Sequence, residues 1–188
     1  MPADLKIGEH VYPFYLKFDV FRYVDAFAHS SLRETVLDGL VYIQQKYKLN
    51  FHGWIVMTSS IRFIASCNRE DVSPEQVADS FMSYTDKKLL QNIHYLRNEI
   101  KRKWMEQLFE SNRKSKQILF WHSRYTLETI SSHEDFGACL TDIHESPVLS
   151  GIVWDAQNYM YSSAIDYINN EPGLLSIVKL ASTDGVSI

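Results

Sequence analysis

The chain of 188 residues is 45% hydrophobic, 13% aromatic and 22% charged, a composition that supports one domain with a sizeable core and excludes intrinsic disorder. No apolar run approaches the roughly 18 residues of a membrane span, and Asp4, Lys6, Glu9, Lys17 and Asp19 interrupt the opening segment where a secretion signal carries its apolar core. A cytoplasmic protein without a membrane partner is predicted. Net charge −4 excludes a uniformly basic nucleic-acid coat, but the charge is unevenly spread. From Lys87 to Lys116 nine basic residues (Lys87, Lys88, Arg97, Lys101, Arg102, Lys103, Arg113, Lys114, Lys116) face three acidic ones (Glu99, Glu106, Glu110), so that segment carries +6 and the remainder −10. Cys67 and Cys139 form neither a disulfide framework nor a zinc-ligand spacing and are expected as buried thiols.

Residues 11–21 alternate with period two, placing Tyr12, Phe14, Leu16, Phe18 and Val20 on one face of a half-buried strand, with Pro13 near its start. Ser31 and Glu34 form a capping-box pattern ahead of Val36, Leu37, Leu40, Val41 and Tyr47, predicting an amphipathic helix over 32–47 that Gly39 weakens. From Phe51 to Cys67, β-branched and aromatic residues flank the polar triplet Thr58-Ser59-Ser60, which predicts a hairpin. Its second strand sets Ser60, Arg62 and Ile64 on one face and Ile61, Phe63 and Ala65 on the other.

Ser73-Pro74-Glu75-Gln76 is a strong helix start, predicting a helix to about Leu90. Residues 93–112 continue the helical pattern through Ile93, Leu96, Ile100, Trp104 and Leu108. Gln117 to Trp121 reads as a short fourth strand. A helix of about ten residues from Glu134, with Phe136, Leu140 and Ile143 on one face, is expected to stop at Ser146-Pro147. With no repeat or linker, residues 1–188 read as a single α+β domain, with helices packed on one face of an antiparallel sheet.

The run Trp54-Ile-Val-Met-Thr-Ser-Ser-Ile-Arg-Phe-Ile64 resembles the signature strand of the single-tyrosine HUH transposases, in particular the REP-associated tyrosine transposases. Three further blocks are similar and fall in the family's order: Phe120-Trp121, Asp142-Ile-His-Glu-Ser-Pro-Val-Leu-Ser-Gly-Ile-Val153 and Tyr161-Ser-Ser-Ala-Ile-Asp-Tyr167. The resemblance spans about 8–178. It implies a ferredoxin-like or RRM-like sheet and DNA transposase chemistry, in which two histidines on one strand face and a side chain one helical turn after a tyrosine hold Mg or Mn. The tyrosine then attacks a phosphodiester and links covalently to single-stranded DNA.

Carried over position by position, the family's histidines fall on Ser60 and Arg62, its nucleophile on Asp142 and its amide ligand on Ser146. Serine and arginine do not supply the neutral imidazoles and amide oxygen of such a site, and an aspartate is not a phenol. The resemblance therefore implies a transposase fold with no intact catalytic residues, no metal and no cofactor, and it brings Arg62 close enough to Asp142 to predict an ion pair between them. No H-x-H or H-E-x-x-H pattern rebuilds a metal site from the histidines, among which His52 and His144 fall on ordinary family positions. Tyr125, Tyr159 and Tyr161 are candidates for a displaced nucleophile or for core and stacking roles.

The basic run reads either as the solvated face of a long helix or as a phosphate-contacting track, to which Trp104 and Trp121 would add stacking if exposed. Arg62 and the nine basic residues are the candidate DNA contacts. The leading expectation is a non-catalytic transposase-like protein that binds single-stranded or hairpin DNA. The alternatives are an active transposase with rearranged chemistry and a protein-interaction scaffold that has lost DNA. A homodimer is expected if the structure exposes a strand edge or an apolar helix face.

Overall fold

The structure is a computed structural model describing residues 12–69, 71–114 and 117–180; Lys116 lies outside the described residues. Strand β1 (Phe14–Asp19) is followed by helix α1 (Ser30–Tyr47), the hairpin β2 (Asn50–Val56) and β3 (Ser60–Ser66), and helices α2 (Pro74–Ile93) and α3 (Glu99–Glu110). A small ribbon of β4 (Arg113–Lys114) and β5 (Gln117–Ile118), strand β6 (Thr126–Thr129) and helices α4 (His133–Leu149) and α5 (Ala164–Ile168) complete the order. The antiparallel sheet has the order β2-β3-β1-β6.

The period-two pattern of β1 decides which side is core. Phe14, Leu16 and Phe18 turn toward α1 and α2 and join Ile61, Phe63 and Ala65 of β3 in the larger apolar cluster, while Tyr15 faces the other way. On that second face α4 lies across the sheet, packing Leu140 and Ile143 on Tyr15, Ile55 and Ile64. The antiparallel α+β sheet follows the sequence, but the helices are not confined to one face as expected: α1 and α2 cover one side and α4 the other, because Tyr15, Ile55 and Ile64 make that second face apolar too. Two glycines permit the close approaches. A Cβ on Gly39 of α1 would fall 2.4 Å from Thr85 Cγ2 of α2, and one on Gly53 of β2 would fall 2.7 Å from Leu140 Cδ1 of α4.

Helix α2 begins with the predicted capping box, Ser73 and Gln76 each bonding the other's backbone. At α1 the start differs: the helix opens at Ser30 with His29 as its N-cap and no capping side chain, so the Ser31/Glu34 pattern is not a cap. Ser31 lies inside the first turn, and its carbonyl accepts from Thr35 Oγ1 at 2.8 Å.

The run 93–112 is broken. A turn over 94–98 separates α2 from α3, whose Asn98 cap accepts from the Lys101 amide, and α3 buries Met105 and Phe109 rather than Ile100 and Trp104. The fourth strand of the sheet is β6, not Gln117–Trp121. The apolarity of that stretch reflects insertion into the core: Phe120 and Trp121 are fully buried, Phe120 donates its amide to Asp86 Oδ1 at 2.6 Å, and Trp121 donates its indole N–H to Thr85 Oγ1 at 2.9 Å.

Helix α4 runs 17 residues through Ser146 and Pro147. Pro147 forgoes its own amide bond to the Ile143 carbonyl, but only two helical residues follow it and both Ser146 and Pro147 are buried, so packing outweighs the local preference. The stop comes at Gly151, in the left-handed conformation at φ 67°, with the Gly151 amide donating to Val148 and the Ile152 amide to Pro147, each at 2.9 Å.

The outer edge of β2 is covered by later chain. The Val56 amide donates to Tyr161, the Ser163 amide to Trp54 and the Val178 amide to Phe51, while His52 Nδ1 meets the Val178 carbonyl at 2.6 Å.

The Gly39 contact gives a direct test. Thr85 cannot swing away freely, because its hydroxyl bonds Phe81 O and receives the Trp121 indole. Gly39→Ala is expected to cost about 1–3 kcal/mol despite alanine's better helix propensity, measured as a lower urea midpoint.

Candidate functional site

Arg62 projects from β3 onto the α4 face, where Asp142 and Ser146 stand one helical turn apart. Arg62 Nη1 donates to Asp142 Oδ2 at 2.9 Å and to Ser146 Oγ at 2.5 Å, and lies 3.5 Å from the Asp142 carbonyl. The Ser146 hydroxyl in turn donates to the Asp142 carbonyl. The ion pair predicted between Arg62 and Asp142 is present. Ser60 is buried beside Asp19 in the β1–β3 register and stands outside this network. With the Asp142 side chain 52% exposed, solvent screens the pair. Its contribution to stability is about 1 kcal/mol at most, and the network chiefly fixes geometry.

One member is absent from the sequence reading. Tyr15 donates its hydroxyl to Asp142 Oδ2 at 3.2 Å. The signal was its phase in β1: it alternates with Phe14 and Leu16 and pairs in register with Ile64, so it belongs to the Arg62 face. Tyr15 is a poor nucleophile. Burial first, and then the Asp142 carboxylate, push its phenol well above the ordinary tyrosine range, keeping the reactive phenolate scarce. The tyrosines considered from sequence are engaged elsewhere: Tyr125 packs on Phe18, Tyr159 donates to the Val56 carbonyl at 2.8 Å, and Tyr161 stacks under the Arg33 guanidinium at 4.2 Å.

The family resemblance would place a divalent ion between β3 and α4, and the side chains present do not suit one. Ser60 and Ser146 offer only neutral hydroxyls, and the Arg62 guanidinium brings a fixed positive charge onto the spot. Among the described residues no group of His, Cys, Asp or Glu is arranged to hold a metal.

The basic segment occupies the other layer of the molecule. Lys87, Lys88, Arg97, Lys101, Lys103 and Arg113 are exposed and Arg102 is half-buried; Lys114 stands on β4. Glu99 pairs with Lys103 and Glu110 with Arg113, while Glu106 is taken by His94. Among the described residues Lys87, Arg97, Lys101 and Arg102 have no carboxylate partner. Trp104 is 51% and Tyr95 81% exposed beside these cations, whereas Trp121 is fully buried and cannot stack on a base. Arg62, on the opposite face of the sheet, does not belong to this track.

No protein-family model matches the sequence, and no curated protein matches it. Solved structures do: the chain aligns with the structure of a REP-associated tyrosine transposase bound to a REP hairpin, at TM-score 0.57 and 12% identity, over 97% of this chain and 98% of that one. This chain has the fold of a REP-associated tyrosine transposase. A putative transposase from Deinococcus radiodurans R1 is similar at TM-score 0.45 and 11% identity, over 71% of this chain and 89% of that one. Among the described residues no helix is long and apolar enough to cross a membrane.

On this transposase fold, α4 is held to the sheet from its inner face. His144 Nε2 meets Ser163 Oγ at 2.9 Å, and that hydroxyl receives the Trp54 amide of β2 at 3.0 Å. Burial lowers the His144 pKa to about 4, so the folded protein holds a neutral imidazole. Cys67 is buried, as predicted, and Cys139 is half-buried.

Two pH experiments follow. Because the folded pKa of His144 lies below its unfolded value, stability is complete above the unfolded pKa and declines as pH falls from about 6.5 toward 4. Replacing His144 with Gln is expected to flatten part of this slope in urea titrations at stepped pH. In an ultraviolet pH titration, Asp142→Asn is expected to bring the Tyr15 phenol down toward its ordinary range and Arg62→Met to push it higher, since the carboxylate raises and the guanidinium lowers it.

Proposed function

We propose that this protein is a non-catalytic member of the REP-associated tyrosine transposase family that binds single-stranded or hairpin DNA without cutting it. The observation that carries the reading is the Arg62–Asp142–Ser146 network. At the positions where the family resemblance expects metal ligands and a nucleophile, a guanidinium nitrogen, a carboxylate and a hydroxyl hydrogen-bond one another directly. No step of phosphodiester cleavage is assigned to them, and Tyr15, the one phenol in the network, is held protonated.

The DNA partner is supported by two things. The solved neighbour of the same fold is bound to a REP hairpin. The second is local: cations lacking carboxylate partners among the described residues, Lys87, Arg97, Lys101 and Arg102, stand with exposed Tyr95 and Trp104, which suits a phosphate track with rings for unpaired bases. The chain works as a single domain in this reading, in the cytoplasm, and without a metal or other cofactor.

Fluorescence anisotropy with labelled hairpin and unstructured oligonucleotides, without added metal, tests the binding. Micromolar or tighter affinity that falls steeply with salt is expected, and Trp104→Ala should weaken it about tenfold, within the range measured for base–aromatic stacks. Absence of binding at low salt would remove DNA from the account. With Mg or Mn present, no covalent protein–DNA adduct is expected on a denaturing gel; an adduct would mean an active enzyme with rearranged chemistry.

A further inference from the structure

Charge in this molecule is segregated beyond the basic segment. From Tyr125 to Val178 the chain carries eight carboxylates and no lysine or arginine. Within that stretch, where α4 ends, a short turn exposes large apolar side chains: Leu149 is 84%, Ile152 43% and Trp154 94% exposed. Glu145 and Asp155, both exposed, flank them. The turn is not loose, because Gly151 supplies the positive φ and the amides of Ser150, Gly151 and Ile152 donate back to Ser146, Val148 and Pro147. A preformed apolar patch in an acidic rim has the anatomy of an interface, and an exposed tryptophan is the residue type most often found at its energetic centre.

The same chain carries the complement. On α3, Ile100 is 82% and Trp104 51% exposed, one helical turn apart, with Lys101 beside them. Apolar side chains meet apolar side chains, and the charges are opposite. The two patches lie on different layers, α3 packing on α2 and α4 across the opposite face of the sheet, so one copy cannot bring its own patches together. Pairing through β2 is closed as well, since later chain already occupies that edge.

We propose that the protein self-associates head to tail, the basic apolar face of α3 on one copy docking on the acidic Leu149–Trp154 turn of a second copy. Such a contact joins unlike surfaces, so it builds rings or open chains rather than a simple two-fold pair. The contact uses the α3 face that the DNA reading also uses, so the two would compete for it, and self-association is tested without nucleic acid.

The full chain is examined by sedimentation velocity at salt of about 0.05 M and about 1 M, where the screening length falls to roughly 3 Å. Species heavier than the 21.9 kDa monomer are expected at low salt and should recede at high salt. Trp104→Ala and Trp154→Ala should each weaken association about thirty-fold or more, as loss of an interface anchor does. Trp154 is almost wholly exposed, so an unchanged urea midpoint is expected for its variant. The decisive arm mixes the two variants. Each keeps one intact patch, so the mixture should form a one-to-one pair where neither variant alone associates. A monomeric wild-type chain at low salt, a Trp154→Ala variant that associates normally, or a mixture that stays monomeric would each overturn the proposal.

Discussion

The register between β1 and β3 is the constraint on which the rest depends. With Leu16 opposite Phe63 and Phe18 opposite Ile61, one face of both strands enters the aromatic core against α1 and α2. The same register leaves Tyr15, Ile64 and Arg62 together on the face that α4 crosses. A slip of β3 by one residue would send Ile61, Phe63 and Ala65 out of the core and Arg62 into it, exchanging buried apolar side chains for a buried charge. The site is therefore specified by the packing on its reverse side, and few of the residues that position it take part in it.

At the site itself, direct hydrogen bonds hold α4 to β3. A guanidinium reaches several acceptors from one nitrogen, and through it Arg62 ties Asp142 and Ser146 to β3. The arrangement is rigid but chemically quiet. Tyr15 adds a third support, and its proton is needed for the bond to Asp142, so burial first and this contact second keep the phenol protonated.

Much of this was legible from spacing alone. The alternation in β1, the hairpin around Thr58-Ser59-Ser60 and the Ser73 capping box act within a few residues, and local rules suffice for them. The approach of Arg62 to Asp142 came through resemblance, since no local pattern brings β3 to α4. What the sequence hid was decided at a distance. Gln117–Trp121 reads as a strand because Phe120 and Trp121 are apolar, yet their amide and indole bond to α2. Strand β6 is short and polar because it lies at an edge. Pro147 fails to end α4 because the helix is buried there, and Ile100 and Trp104 look like core positions of α3 although Met105 and Phe109 take that place. Tyr15 was missed for want of a partner that only the tertiary structure supplies.

The covering of β2 has a bearing on how the protein behaves when crowded. A central sheet usually leaves two rows of unpaired backbone groups, each a template onto which a foreign strand can zip. Here the segments that bond Val56, Trp54 and Phe51 occupy one row, and the other belongs to a four-residue strand whose residues are exposed except for half-buried Leu127. Strand addition at the β2 edge thus requires the later chain to peel away first, so that part of the sequence guards the longer of the two edges against cross-β aggregation.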